Sequence, residues 1–289
     1  AFKIKKIQGY DRVIIQSPPL PVAGSAITLF KKIFGRKTLV NISDLWPLSA
    51  VELGAMREGG KIYDIFAWIE RYIYRNADGI FGQSEEIIRH VNQFPSTKNK
   101  FVYRNLQQYA VAAQPKRKHK PFRIVYAGLL GVAQDIYSII ENIPFQSIGA
   151  EFHLYGGGNQ AEKIKEYINK HPGCFVYYHG YVKKEQIAEE LSRYDASIVP
   201  LTVAIKGAVP SKIYDLIPIG IPILFCGGGE GAEIVSKYYL GMVSKPHDFK
   251  QLHNNIIELI NLPDEEYSTI SKNCLDMAKN EFDFNKQIY

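Results

Sequence analysis

The amino-acid sequence predicts an α/β protein of two units, each a parallel sheet covered by helices. Three observations carry this expectation. Short apolar runs alternate with longer segments of helical period along the chain, the pattern of helices laid over a parallel sheet. The length, 289 residues, exceeds the size at which one hydrophobic core stops growing, so two domains are expected. A polar stretch, QQYAVAAQPKRKHKP at 107–121, interrupts the alternation and reads as a linker between a domain at 1–106 and another at 122–289.

Local cues justify each element in turn. In the first half, short apolar runs at 12–17, 38–43, 79–83 and 100–103 read as strands. A helix is expected around 22–34 and a longer one at 61–76, which places Ile62, Ile65, Phe66, Ile69 and Ile73 on one face at the spacing of a core-packed helix. The basic end of the linker, KRKHK, is expected to stay solvated. Beyond it the alternation restarts, with strands at 122–127, 151–155, 174–179, 196–199 and 221–225, helices between them, and two more helices from 248 to 279. This half reads as a complete Rossmann-like unit.

Hydrophobic residues at 46% and charged residues at 22% exclude the disordered, collagen-like and disulfide-scaffold classes. No apolar run approaches the length of about eighteen residues that a spanning helix needs. The start, AFKIKKIQGYDR, has no apolar h-region and does not read as a signal peptide. Cys174, Cys226 and Cys274 are odd in number and set in apolar segments, which fits buried thiols in a reducing compartment.

Charge divides unevenly, with net +11 over residues 1–120 and −5 over the remainder. Its basic runs are Lys3, Lys5 and Lys6, then Lys31, Lys32, Arg36 and Lys37, then Lys116, Arg117, Lys118 and Lys120. Such a half points to an anionic partner, or to no more than a lysine-rich solvated surface. Phe30, Ile33 and Phe34 lie beside the second run at helical spacing, as at the end of an interfacial helix, so an anionic membrane surface is an expected partner. Nucleic acid is not, because no helix-turn-helix, zinc or RNA-binding signature accompanies the charge.

Glycine marks the expected carboxyl ends of successive strands in the second half: Gly128 and Gly131, Gly156, Gly157 and Gly158, Gly180, then Gly227, Gly228 and Gly229. Ligands of open α/β sheets bind at this edge, where glycine lets backbone N–H groups approach a phosphate. No turn spells G-x-G-x-x-G or a Walker A sequence. Four segments, VYAGLLGVAQD (125–135), FHLYGGGNQAEKI (152–164), HGYVKKEQIAEELSRYDASIVPL (179–201) and VPSKIYDLIPIGIPILF (209–225), resemble the donor-binding domain of GT-B glycosyltransferases of family 4, enzymes of bacterial surface polysaccharide synthesis. YDRVIIQSPPL (10–20) and ISDLWPLSAVELGA (42–55) resemble the acceptor domain of amino-deoxysugar transferases of capsule or O-antigen assembly. The resemblance implies two Rossmann-like domains facing a central cleft, the first lacking its opening part here, and a last helix that crosses back to the first domain. The family's paired glutamates fall at positions 207 and 215, which here are Gly207 and Asp215. A basic residue of the first donor-domain loop is replaced by Leu129, Leu130 and Val132.

Candidate roles follow. Lys212 after Ser211 at a helix start brings a cation, a hydroxyl and free N–H groups to a diphosphate, or is a solvated lysine. Asp215, one turn on, can accept from ribose hydroxyls or pair with Lys212. Gly131, Gly156 and Gly157 allow close approach to phosphate; backbone groups near Tyr181 and Val182 would read uracil, unless Tyr181 is a core aromatic. In the first half, Asp44 after a strand is the candidate catalytic residue, binding or deprotonating an acceptor hydroxyl, or else a turn cap. Trp46 offers an acceptor-side stacking face or is core, and Glu230 and Glu233 either cap a helix or touch the donor. No HExxH pair, Cys/His cluster or D-x-D occurs, so neither a metal nor another cofactor is expected.

The resemblance therefore implies a metal-independent, retaining transferase moving a sugar, an N-acetylated amino sugar in this reading, from a UDP-sugar donor to a lipid-linked saccharide acceptor. Front-face attack would let the departing phosphate take the acceptor's proton. The implied location is cytoplasmic, peripheral on the inner face of the membrane. Two alternatives stay open: a non-catalytic nucleotide-sugar-binding subunit that activates a partner, and a GT-B UDP-sugar epimerase.

Overall fold

The computed structural model describes residues 10–108, 110–112 and 114–288; Lys3, Lys5 and Lys6 lie outside the described residues. Two compact units result, one of residues 1–104 with 205–209, the other of 105–204 with 210–289.

The first unit is built on β1 (Arg12–Ser17), β2 (Lys37–Ile42), β3 (Gly79–Gly82) and β4 (Lys100–Val102), a parallel sheet in the order β1-β2-β3-β4. Helix α1 (Leu20–Ile27) opens on two prolines and continues as a π-helical turn at Thr28–Ile33, so the expected helix at 22–34 starts earlier and changes its winding. Two short helices, α2 (Leu48–Glu52) and α4 (Glu85–Val91), were not separately expected. Ser84 caps α4 by accepting from the Ile87 N–H at 3.1 Å, and Glu85 and Glu86 oppose the helix dipole.

Helix α3 (Lys61–Asn76) matches its expected span but not its expected burial. Ile73 is in the core, whereas Ile62 and Ile65 are 63% and 59% exposed and Trp68 is 62% exposed. The apolar arc of this helix is wider than the surface that α1 and the sheet cover, so its far side faces outward. The pair Glu70 and Tyr74 anchors the inner side: the Tyr74 hydroxyl donates to Glu70 at 2.8 Å, and His90 from α4 meets the same carboxylate at 2.9 Å.

In the second unit the strands are β5 (Phe122–Ala127), β6 (Ala150–Tyr155), β7 (Val176–Gly180), β8 (Ala196–Pro200), β9 (Ile223–Cys226) and β10 (Gly241–Ser244). All are parallel, in the order β10-β9-β8-β5-β6-β7. This is the doubly wound order whose topological switch point, here between β5 and β8, marks the ligand-binding edge. β10 was not expected; four residues are too few to show a period. Helices α5 (Ile136–Asn142), α6 (Ala161–Lys170), α7 (Ile187–Leu191), α8 (Ser211–Leu216), α9 (Gly229–Lys237), α10 (Phe249–Asn261), α11 (Asp264–Asn280) and α12 (Phe284–Ile288) complete it. Ile124, Tyr126, Phe152, Leu154, Ile198 and Leu224 form the centre of its core, each contributing about 1.5–3 kcal/mol by full burial. Cys226 and Cys274 are buried there and burial pushes both thiols up to about 12, while Cys174 is half-buried; all three are free.

The KRKHK segment is solvated only in part: Arg117, His119 and Lys120 are exposed, whereas Lys116 and Lys118 are half-buried and held to the second unit. The Lys116 N–H donates to Ser271 Oγ at 2.8 Å, and its ammonium donates to the Ser192 carbonyl. Lys118 caps α10 through the carbonyls of Ile260 and Leu262. Asp195, fully buried, accepts from the His119 N–H at 3.0 Å, from His119 Nδ1 at 2.7 Å and from the Arg123 N–H at 2.7 Å. Among the described residues no helix is long and apolar enough to cross a membrane.

Candidate functional site

The strand-end loops of the second unit enclose an open cleft of about 340 Å³, lined by Ala127, Gly128, Leu129, Tyr155, Gly156, Gly157, Tyr181, Val182 and Ile187. It lies at the carboxyl ends of β5, β6 and β7. Backbone hydrogen bonds zip its loops together: Gly128 N–H to Tyr155 O at 2.9 Å, Leu130 N–H to Gly157 O at 2.9 Å and Gln160 N–H to Leu130 O at 3.0 Å. A Cβ on Gly156 would run into the Gly128 carbonyl, and one on Gly157 into the Tyr181 ring and hydroxyl. Glycine is therefore the residue that lets two loops and an aromatic ring meet.

Gly156, Gly157, Tyr181 and Val182 come together in this wall as expected residues. Tyr181 is 82% exposed, so it is not a core aromatic. Gly131 is buried and outside the wall, its carbonyl accepting the Gln134 and Asp135 N–H groups; Gly128 occupies the position expected of it. Tyr155 and Ile187 were missed. Their sequence signal is adjacency alone, Tyr155 to the glycine triplet and Ile187 to the loop after β7.

Lys212 and Asp215 line a second, smaller cavity of about 50 Å³ with Ala127, Ser197 and Leu216. The Lys212 side chain reaches back to β5: its Nζ lies 2.6 Å from where a Cβ on Gly128 would stand and 5.6 Å from the Tyr126 ring centroid. Burial pushes its pKa below the usual 10.5, opposed by the charge of Asp215. Lys212 is thus a desolvated cation beside the cleft loop, not a solvated lysine. Ser211 is the first residue of α8, and Glu230 is buried in the first turn of α9 while Glu233 is exposed.

In the first unit Asp44 follows β2, half-buried, and burial raises its carboxyl pKa above the ordinary 3.8. Trp46 is half-buried at the margin of the core and packs edge-on against Phe66, centroids 6.0 Å apart. Residues 205–209 belong to this unit. The Gly207 N–H donates to Glu86 Oε2 at 2.7 Å, its carbonyl accepts from Ser84 Oγ at 2.8 Å, and the Lys206 N–H donates to Glu52 at 2.8 Å. Gly207 has φ +81°, and a Cβ there would stand 2.9 Å from Ile87 Cγ1. This backbone admits no glutamate without moving. Among the described residues no group of three or more His, Cys, Asp or Glu is placed to hold a metal ion.

Structural relatives share the fold at low identity. A TarM variant of S. aureus, in complex with fondaparinux, α-GlcNAc-glycerol and UDP, has a TM-score of 0.64 and 17% identity over 91% of this chain and 52% of its own. The chain thus spans about half the length of that protein. HepE of Anabaena in complex with UDP has a TM-score of 0.74 and 14% identity over 98% of this chain and 78% of its own. The apo lipopolysaccharide outer core galactosyltransferase WaaB has a TM-score of 0.62 and 18% identity over 99% and 77%. No curated protein sequence matches the chain. The profile of the glycosyl transferases group 1 family matches residues 109–277, more than half of the chain and nearly all of the unit that carries the glycine-walled cleft. The chain belongs to the glycosyl transferases group 1 family.

Proposed function

We propose that the cleft of the second unit binds a UDP-sugar and that the protein transfers its sugar, an N-acetylated amino sugar, to a lipid-linked saccharide in surface polysaccharide synthesis. One observation carries the reading: a group 1 glycosyltransferase chain in which Lys212 reaches the glycine loop at the strand-end cleft. UDP bound to HepE and to TarM, which share the fold, supports the choice of nucleotide.

In this reading the Gly128 and Gly156–Gly157 loops receive the diphosphate, backbone groups at Tyr181 and Val182 meet uracil, and Asp215 accepts from the ribose. Lys212 and the Ser211 hydroxyl stabilise charge on the leaving diphosphate, the work a metal ion does in other transferases. Attack occurs on the face the nucleotide leaves, and the departing phosphate oxygen takes the acceptor hydroxyl's proton, so configuration is retained. Asp44 binds and orients the acceptor hydroxyl, which gives its proton to the departing phosphate. Titrating UDP and a panel of UDP-sugars by calorimetry, then measuring UDP release with a lipid-linked acceptor, tests the assignment. Absence of UDP binding refutes it.

The acceptor's lipid places the protein on an anionic membrane, at its cytoplasmic face. Lys31 is paired with Asp78 at 2.8 Å and Arg36 lies 3.8 Å from Asp11, which lowers the free charge of the expected 31–37 cluster. Exposed Ile62, Ile65 and Trp68 on α3, beside exposed Lys61, Arg71 and Arg75, extend the candidate contact surface. A second reading, a non-catalytic subunit that binds nucleotide-sugar and activates a partner, is favoured by the backbone at Gly207, which holds no carboxylate. UDP release that depends on an added partner distinguishes it.

A further inference from the structure

We infer that His153 and His179 form a positioning pair for the nucleotide cleft, holding the 180–182 turn against the glycine loop through one N–H shared between two imidazoles. The inference rests on the nucleotide reading of that cleft.

Strand β6 places Glu151, His153 and Tyr155 on one face at a period of two, and β7 places Tyr177 and His179 beside them. His153 Nδ1 and His179 Nε2 are 2.9 Å apart with ring planes 3° apart. His153 Nε2 lies 3.3 Å from Glu151 Oε2. An ionised carboxylate only accepts, so Nε2 of His153 carries the hydrogen and its Nδ1 is the acceptor. His179 Nε2–H must then donate. The result is a one-way chain, His179 to His153 to Glu151, in which every step is satisfied while both imidazoles are neutral. Burial lowers the pKa of both rings, which favours that state near neutrality.

The charged and titratable groups around the pair are Arg123 from β5, 3.6 Å from Glu151, and Glu190 from α7, which accepts from the Tyr155 hydroxyl at 2.6 Å. Arg193 lies 3.2 Å from Glu190, the Tyr194 hydroxyl is 2.7 Å from that of Tyr155, and the Tyr177 ring stacks on His153 at 4.9 Å. The His179 ring stacks on Tyr155, a cleft residue, with centroids 4.7 Å apart. Directly after His179 come Gly180, whose carbonyl accepts the Gly156 N–H at 2.7 Å, and Tyr181, whose ring lies over Gly157. Fixing His179 therefore fixes the wall where the base would lie and, through the Gly156 N–H, steadies one end of the glycine loop. One added proton leaves a donor and an acceptor between the rings, because neutral His179 can carry its hydrogen on Nδ1; protonation of both rings sets two N–H groups against each other and releases the pair.

Calorimetry with UDP, uridine and inorganic pyrophosphate tests this on wild type, His179→Phe and His179→Gln. Phenylalanine keeps a ring on Tyr155 without a donor; glutamine keeps a donor, and its amide can turn to accept when His153 is protonated. His179→Phe should weaken uridine and UDP about fivefold, the net worth of one hydrogen bond, with pyrophosphate weakened less. His179→Gln should bind as wild type does, and the fall of wild-type uridine affinity as pH drops below the ordinary histidine value of 6.5, where both rings gain a proton, should flatten in it. Uridine has no group titrating in that range. Equal uridine affinity in all three proteins, or parallel losses of uridine and pyrophosphate in His179→Phe, overturns the pair while UDP binding stands. Failure of wild type to bind UDP overturns the nucleotide reading and the pair with it.

Discussion

Replacing Lys212 with alanine is the sharpest test of the proposed chemistry, because two linked quantities change in known directions. The Lys212 ammonium is buried beside Gly128 and the Tyr126 ring, and its pKa lies below 10.5. The unfolded chain therefore binds more protons than the folded one between the two pKa values. Stability rises with pH across that window, and the full cost of the buried charge is carried below it. A diphosphate in the cleft reverses the balance by supplying opposite charge. The lost charge-assisted hydrogen bond is worth about 1.5–3 kcal/mol, so Lys212→Ala should weaken UDP roughly ten- to hundredfold. Wild type should also take up a proton on binding UDP at alkaline pH, seen as a dependence of binding heat on buffer ionisation enthalpy; the variant should take up none. Unchanged UDP affinity and unchanged proton linkage in a folded variant would remove Lys212 from the site. Gly128→Ala supplies a cross-check, since its Cβ lands on the lysine stem and should cost less in the Lys212→Ala background.

Other expectations are more local. Gly156→Ala drives a methyl into the Gly128 carbonyl, and loss of about 1–3 kcal/mol in denaturant titration together with weakened UDP is expected; a neutral result refutes the loop packing. Asp44→Asn should abolish transfer while leaving UDP affinity intact. Because burial raises the Asp44 pKa, the folded state holds that proton more tightly, stability declines as pH rises from 3.8 through the folded value, and the asparagine variant should be more stable than wild type at neutral pH. Asp195→Ala orphans three donors under a fully buried carboxylate and should cost about 3 kcal/mol or more in chemical denaturation. Trp68→Ser should reduce co-sedimentation with anionic vesicles, and salt should release the wild type, as screening over about 8–10 Å requires; equal recovery on neutral vesicles refutes membrane contact through this charge.

The sequence by itself determined the kind of element at most positions. Strands at Arg12–Ser17 and Phe122–Ala127 and the helix at Lys61–Asn76 have their expected bounds, because hydrophobic period and turn residues are local properties. The glycine clusters likewise announced the carboxyl edge of the second sheet. Tertiary structure decided what each apolar or polar face meets. Periodicity shows that Ile62 and Ile65 share a side of α3, yet only the packing of α1 and the sheet decides that this side is left uncovered. Gly128 rather than Gly131 enters the cleft wall because the loop after β6 docks on it. Lys116, Lys118 and His119 of the basic linker are held because Asp195, Ser271 and the end of α10 present acceptors along its path. His153 and His179, 26 residues apart, meet through the register of β6 with β7. Register and docking depend on which distant segments pair, and no window of sequence contains both partners.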